Sequence, residues 1–196
     1  MRDAAEGRRA MQDKSDETLL RELGQGHGRA LEELARRYER QLLGVAMGMM
    51  GGRRDLARDA VQESWVRVIR FAAGFNGQCQ AKTWLYQIVM NQCRSLHTAI
   101  AGRREKTSDA SCEGSSIEST RSVEDDAIRS ERAFTLRDAV GRLADEKREV
   151  ILLCYHEGLT HEEAADVLGI PIGTVKSRLH AALEALRAML SLEMDR

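Results

Sequence analysis

Residues 158–180 read Gly-Leu-Thr-His-Glu-Glu-Ala-Ala-Asp-Val-Leu-Gly-Ile-Pro-Ile-Gly-Thr-Val-Lys-Ser-Arg-Leu-His. Thr160 and Glu163 have the spacing of a capping box, in which each side chain satisfies an orphan amide, so a helix opens at Thr160. Gly169 supplies the turn that follows. Pro171 falls at the first position of the next helix, where its missing N–H costs nothing. Ala165 is small enough for close helix approach, and Val167, Leu168, Ile172, Val175 and Leu179 form the inward set. The pattern is a helix-turn-helix. Its second helix leaves Gly173, Thr174, Lys176, Ser177, Arg178, His180 and Ala181 on the outer face. Small residues there allow close approach to a duplex. Lys176 and Arg178 suit phosphate or guanine, and Thr174 and Ser177 suit phosphate or base edges. One such unit makes few contacts, so it needs a second reader, a dimer or a larger partner.

Upstream, the periodicity gives a helix from about Asp126 to Gly141 and another from about Asp145 to Glu157, with Val150, Ile151, Leu153 and Cys154 apolar. Residues 107–124 are rich in Ser and Thr and lack apolar periodicity, which is linker composition. The N-terminal half resumes the helical pattern. A polar tail (1–14) precedes a short helix capped by Ser15 or Asp16 and closed by Gly24. A second helix, from about Arg29 to Met50, carries Leu31, Leu34, Tyr38, Leu42, Val45 and Met49 at three- and four-residue steps; Gly51-Gly52 ends it. A third runs from about Asp55 to Phe71 with Leu56, Ala60, Val61, Trp65, Val68 and Ile69. A glycine-bearing loop, 72–80, leads to a fourth, roughly Ala81 to Ile100. With 196 residues, one proline and eight aromatics, the expected class is all-α, in two small domains at 15–106 and 126–196 joined by a flexible linker at 107–125.

Charge is distributed unevenly. The net charge is −1, yet residues 1–106 hold 19 Lys/Arg against 13 Asp/Glu. No carboxylate occurs between Glu63 and Glu105. That stretch holds Arg67, Arg70, Lys82, Arg94, Arg103 and Arg104, interleaved with Trp65, Phe71, Phe75, Trp84 and Tyr86. A solvated helix surface mixes signs; an acid-free stretch with aromatics suits a polyanion whose bases stack. On the fourth helix Gln87, Asn91, Arg94 and Thr98 recur as a polar stripe. Phe75, Asn76, Lys82 and Trp84 lie just before it, placed to hold unstacked bases.

Other classes find little support. There is no P-loop, dinucleotide glycine fingerprint, nucleophile elbow or metal-ligand cluster, so neither an enzyme nor a cofactor is expected. Cys79, Cys93, Cys112 and Cys154 lack zinc-site spacing and read as ordinary thiols in a reducing compartment. The sequence shows no signal peptide and no span of roughly 20 apolar residues, so a cytoplasmic protein without membrane insertion is expected.

Three segments together resemble the extracytoplasmic-function (group 4) sigma factors of the sigma-70 family. Asp55-Leu-Ala-Arg-Asp-Ala-Val-Gln-Glu-Ser-Trp-Val-Arg-Val is similar to their polymerase-binding segment. Lys82-Thr-Trp-Leu-Tyr-Gln-Ile-Val-Met-Asn-Gln-Cys-Arg is similar to their −10-reading helix, and 158–180 to their −35-reading region 4. The resemblance implies a dissociable bacterial transcription-initiation subunit, with core RNA polymerase (β′ and β subunits), promoter DNA and an anti-sigma factor as partners. It places Asp55, Asp59, Gln62 and Glu63 on the polymerase, and puts the loop 74–80 around a flipped −10 base with Asn91 and Arg94 beside it. Thr174, Lys176, Ser177, Arg178 and His180 would face the −35 groove. The chain departs from the family at position 95, where serine stands in place of the usual acidic residue. The alternative is a helix-turn-helix regulator that does not bind core polymerase; its C-terminal half would look the same.

Overall fold

Every regular element among the described residues is a helix or a single helical turn. A computed structural model describes residues 11–106 and 136–194; most of the expected tail, the whole linker and the start of the helix placed at Asp126 lie outside them.

Helix α1 (Asp16–Gly24) starts as its sequence requires: the Ser15 hydroxyl accepts from the Thr18 amide, and Asp16 and Glu17 occupy the first turn, where carboxylates complement the helix dipole. Its end differs from expectation. Gly26, at φ +92°, takes the left-handed position, while the Gly26 and His27 amides donate to the carbonyls of Leu23 and Glu22, the paired bonds of a Schellman motif. Gly24 has another task. A Cβ there would lie 2.8 Å from the Ala73 backbone, so its missing side chain lets α1 meet the single turn Ala72–Gly74.

Helix α2 (Gly28–Met49) buries Ala30, Leu34, Tyr38, Leu42, Val45, Ala46 and Met49. It also buries Glu33, which is possible because Arg36 and Arg37 both bond its carboxylate, at 2.7 to 2.9 Å. Arg37 reaches further, to Asp16 at 2.5 Å and to the carbonyls of Met11, Gln12 and Lys14. The Tyr38 hydroxyl donates to the other Asp16 oxygen. This network ties the approach to α1 onto α2. The Arg36 hydrogen bonds, followed by those from Arg37, hold the Glu33 carboxyl down at about 2 against the opposing effect of burial.

Helix α3 (Arg54–Phe71) packs through small residues, Ala57, Ala60, Val61 and Ser64, with Val68. Helix α4 (Ala81–Lys106) is longer than the sequence reading. Its buried set is Ala81, Leu85, Tyr86, Val89, Met90 and Cys93, while Ile88 and Leu96 are only partly buried. That set is wider than one helix face needs because α4 is covered from two sides.

The second cover comes from the C-terminal half. Helical residues 136–142 (α5) precede α6 (Asp145–Ile151), which runs into a π turn, Leu152–His156, where an uninterrupted helix to Glu157 was expected. Buried Arg148 bonds the carbonyls of Val140, Gly141, Leu143 and Met49 and pairs with Asp145. Helix α7 (His161–Leu168) has both bonds of the Thr160/Glu163 capping box. Gly169 follows at φ +67°, and the Pro171 carbonyl accepts the Thr174 and Val175 amides to open α8 (Ile172–Met194). Helix α7 lies on α4, and the π turn lies on α2. One contiguous cluster of buried apolar side chains therefore runs through both halves.

Candidate nucleic-acid and partner interfaces

The outer face of α3 is open. Asp55, Asp59, Gln62 and Glu63 are all exposed, and Glu63 makes only a 3.6 Å surface pair with Arg67. The same line continues at three- and four-residue steps to Val66 and Ile69, 52% and 49% exposed. Sequence periodicity counted Ile69 among the packing residues; it stands in solvent. An acidic row thus runs into two half-exposed apolar side chains on one side of α3.

The fourth-helix surface is different. Phe75 does not stand free: it is 8% exposed, with its ring centroid 5.5 Å from that of Trp84, so it shapes the loop from below. Asn76 holds the same loop by accepting the Gln78 amide through Oδ1. The Lys82 ammonium lies over the Tyr86 ring, 5.9 Å from its centroid. The polar stripe expected to meet nucleic acid is divided: Gln87 and Arg94 bond the C-terminal half, whereas Asn91 and Thr98 are exposed. Arg94 makes a two-pronged ion pair with Glu149, at 2.5 and 2.7 Å, and Nη1 also donates to Asn91. Gln87 donates to the Asp166 carbonyl at 2.8 Å. The buried Tyr86 hydroxyl donates to Glu157; burial and then that carboxylate push it above its usual range.

On α8, Lys176 and Ser177 are exposed, whereas Thr174 is partly buried, its carbonyl accepting the Ser177 hydroxyl. His180 lies 3.5 Å from Glu184 and is largely exposed. Arg178 turns toward α6 and pairs with Glu146 at 2.9 Å. The side chains expected to face a groove thus share one helix, but Arg178 sits at its edge. The described thiols are held in the neutral form: burial, with a smaller effect from Glu149, pushes Cys93 up to about 12, and burial raises Cys79 and Cys154. Among the described residues no group of His, Cys, Asp and Glu is arranged to hold a metal ion, and no helix is long and apolar enough to cross a membrane.

Two family models cover most of this surface. Residues 34–103 match "Sigma-70 region 2" and residues 133–186 match "Sigma-70, region 4". The ECF RNA polymerase sigma-E factor of Haemophilus influenzae is 30% identical over 179 residues, spanning 88% of this chain and 93% of that protein. The chain belongs to the extracytoplasmic-function sigma factors. It is a transcription initiation factor, directing RNA polymerase to promoters, and not a regulator that works apart from the enzyme. The RNA polymerase sigma-H factor of Pseudomonas aeruginosa is similarly close, 29% identical over 180 residues, 88% of this chain and 92% of that one. Among solved structures, CnrH in complex with the cytosolic domain of CnrY superposes with a TM-score of 0.69 at 26% identity, covering 91% of this sigma factor and 99% of CnrH. RpoE of Bartonella quintana, in complex with the anti-sigma factor NepR, has the same fold: TM-score 0.68, 23% identity, 82% and 96% covered.

Sequence reasoning missed the residues that cover α4, namely Glu149, Glu157 and Asp166, because nothing local marks an acidic residue as the partner of a helix 55 to 79 positions away. One signal was present: Gly44 and Gly48 lie four apart inside a helix, where glycine is costly unless something must come close.

Proposed function

We propose that this sigma factor divides its work among three surfaces: α3 docks on core RNA polymerase, the loop 74–80 with α4 reads the −10 element, and α8 reads the −35 element. The observation that carries the reading is the sorting of charge. Asp55, Asp59, Gln62 and Glu63 stand exposed on one face of α3 and run into Val66 and Ile69, whereas no carboxylate occurs from there until Glu105. Protein contact and DNA contact are thereby kept apart, since a carboxylate among phosphate-facing residues would repel the backbone.

In this reading Lys82, Trp84, Gln87, Asn91 and Arg94 meet the −10 strand, while Phe75 and Asn76 shape the loop that receives a base. Thr174, Lys176, Ser177 and His180 face the −35 groove with Arg178 at its margin. Residues 107–125 tether the domains 15–106 and 126–196; the 18 residues 107–124 reach about 60 Å when extended. The protein works in the cytoplasm, has no catalytic role, and is held in reserve by an anti-sigma factor. Promoter-dependent run-off transcription with core polymerase tests the division of work. Asp59→Lys/Glu63→Lys should abolish transcripts by preventing holoenzyme formation, whereas Lys176→Ala should leave holoenzyme intact and lower promoter occupancy. Holoenzyme assembly by the charge-reversed chain would refute the α3 assignment.

A further inference from the structure

The loop 74–80 has an exposed tip and a buried base. Residues 76–78 are exposed, whereas Ala72 and Ala81, which bracket the loop, are buried. Both ends of that base rest on α1. At the entry, the single turn Ala72–Gly74 lies against Gly24: a Cβ there would stand 2.8 Å from the Ala73 N and Cα and 2.9 Å from the Ala72 carbonyl carbon. The obstacle is backbone, which cannot rotate aside as a side chain would. At the exit, the Glu17 carboxylate accepts the Ala81 amide through Oε1 at 3.1 Å. Ala81 opens α4, and α4 has no acidic residue in its own first turn, so α1 supplies the carboxylate that this helix start lacks. That bond, followed by one from the amide of Glu17 itself, holds the Glu17 carboxyl below its usual range against the opposing effect of burial.

The two contacts are in register. Glu17 and Gly24 lie two turns apart, so they share one side of α1, about 10 Å apart along its axis. Leu20, between them on that side, is fully buried. Helix α1 packs on the turn Ala72–Gly74 and on α4 alike. The loop therefore does not hang from α3 and α4 alone; a third helix spans its mouth. Inside the loop the hydrogen bonds are local: the Phe75 amide donates to the Ala72 carbonyl at 3.0 Å, and the Gln78 amide to Asn76. They shape the tip. Its place relative to α4 is set by its two ends and by the Phe75 ring against Trp84.

We propose that α1 is the positioning element of the base-receiving loop, with Gly24 fixing where the loop begins and Glu17 where it ends, and that this frame sets discrimination at the −10 element. Neither residue touches DNA in this scheme; both are positioning residues. The proposal rests on the assignment of the loop 74–80 to the −10 base. A recognition site must be held within about 0.5 Å of its productive geometry. A methyl group at Gly24 would stand about 0.6 Å inside ordinary van der Waals contact with the Ala73 backbone, so the loop entry has to move by more than that tolerance. Loss of the Glu17 acceptor frees the other end.

The test uses holoenzyme assembled from core RNA polymerase and the full chain, unaltered or carrying Gly24→Ala, Glu17→Ala, Glu17→Gln or Asn76→Ala. Run-off transcription from a pool of duplexes randomised over both elements first supplies the template that the unaltered holoenzyme prefers. Output is then compared on that template and on versions with one base pair changed in the −10 or the −35 element. A single mismatch costs about 5- to 150-fold, and in Gly24→Ala and Glu17→Ala the −10 penalty should shrink by about threefold or more. Penalties at −35 and affinity for core polymerase should stay as they were. Glu17→Gln should keep nearly the full −10 penalty, because its side-chain oxygen still accepts the Ala81 amide. Full −10 discrimination in Gly24→Ala and Glu17→Ala, with Asn76→Ala relaxing it, would overturn positioning by α1. Full discrimination in every variant, Asn76→Ala included, would sink the assignment of the loop to the −10 base and the proposal with it. Equal losses at −10 and −35, or a Glu17→Gln chain as impaired as Glu17→Ala, would reduce α1 to a general support of the fold and overturn the proposal too.

Discussion

At the scale of single residues, Glu33 shows how a buried charge is retained. Its carboxylate is held by Arg36 and Arg37, and Arg37 also holds Asp16. Because the folded carboxyl is depressed from 4.5 to about 2, its contribution is fully present above about pH 4.5 and is lost as pH falls toward 2. Glu33→Gln should lower unfolding free energy at neutral pH by about 1 to 3 kcal/mol, because the two guanidiniums lose their charged acceptor. It should also flatten the acid limb of a stability–pH curve; chemical denaturation across that range checks both. On α8 the two cations should behave differently. Lys176→Ala should weaken binding to all duplexes alike and lower the salt slope by about one, whereas Arg178→Ala should cost about 1 to 3 kcal/mol at one base position if it reads a base. The Arg178–Glu146 pair does not forbid that role: Glu146 is 69% exposed, and such pairs hold little energy. Titrations on −35 duplexes at several salt concentrations separate the two. Little at this scale was legible in advance. Residue type told that Lys176 and Arg178 suit DNA, but only packing shows that one is free and the other paired, or that Phe75 supports its loop from within.

At the scale of elements the sequence was far more informative, for physical reasons. The Ser15 cap and the Thr160/Glu163 box are local patterns, and local hydrogen bonding realises them as read; the apolar steps of α2 hold as well, while in α3 Ile69 turns to solvent. Where an element answers to a distant neighbour, the reading fell short. Gly24 was assigned as a helix stop; it is a contact with Ala73, and Gly26 makes the stop. The helix expected to reach Glu157 opens into a π turn at Leu152, next to the helix it must seat upon. Thr160→Ala should remove the side-chain acceptor for the Glu163 amide and cost about 1 kcal/mol, readable as a lower melting temperature. An unchanged melting temperature would mean that α7 is held by packing alone.

At the scale of the whole molecule, two features stand together: an exposed acidic and apolar row on α3, and a flank of α4 whose Gln87 and Arg94 bond the C-terminal half. The division into two helical segments was legible from the helix-turn-helix and the Ser/Thr-rich interval, and the three quoted motifs carried the family. Their packing against each other was not, because Arg94–Glu149 and Tyr86–Glu157 join residues 55 and 71 positions apart. The central claim is that α3 carries the protein onto polymerase. Equilibrium binding of the full chain to core RNA polymerase, comparing the unaltered protein with Asp59→Lys/Glu63→Lys, tests it most directly. Both side chains are exposed, and the Glu63–Arg67 pair is a surface one, so the fold should survive. The account predicts a loss of affinity of about tenfold or more, at least about 1.4 kcal/mol, with an unchanged melting temperature; equal affinity for core polymerase would contradict it.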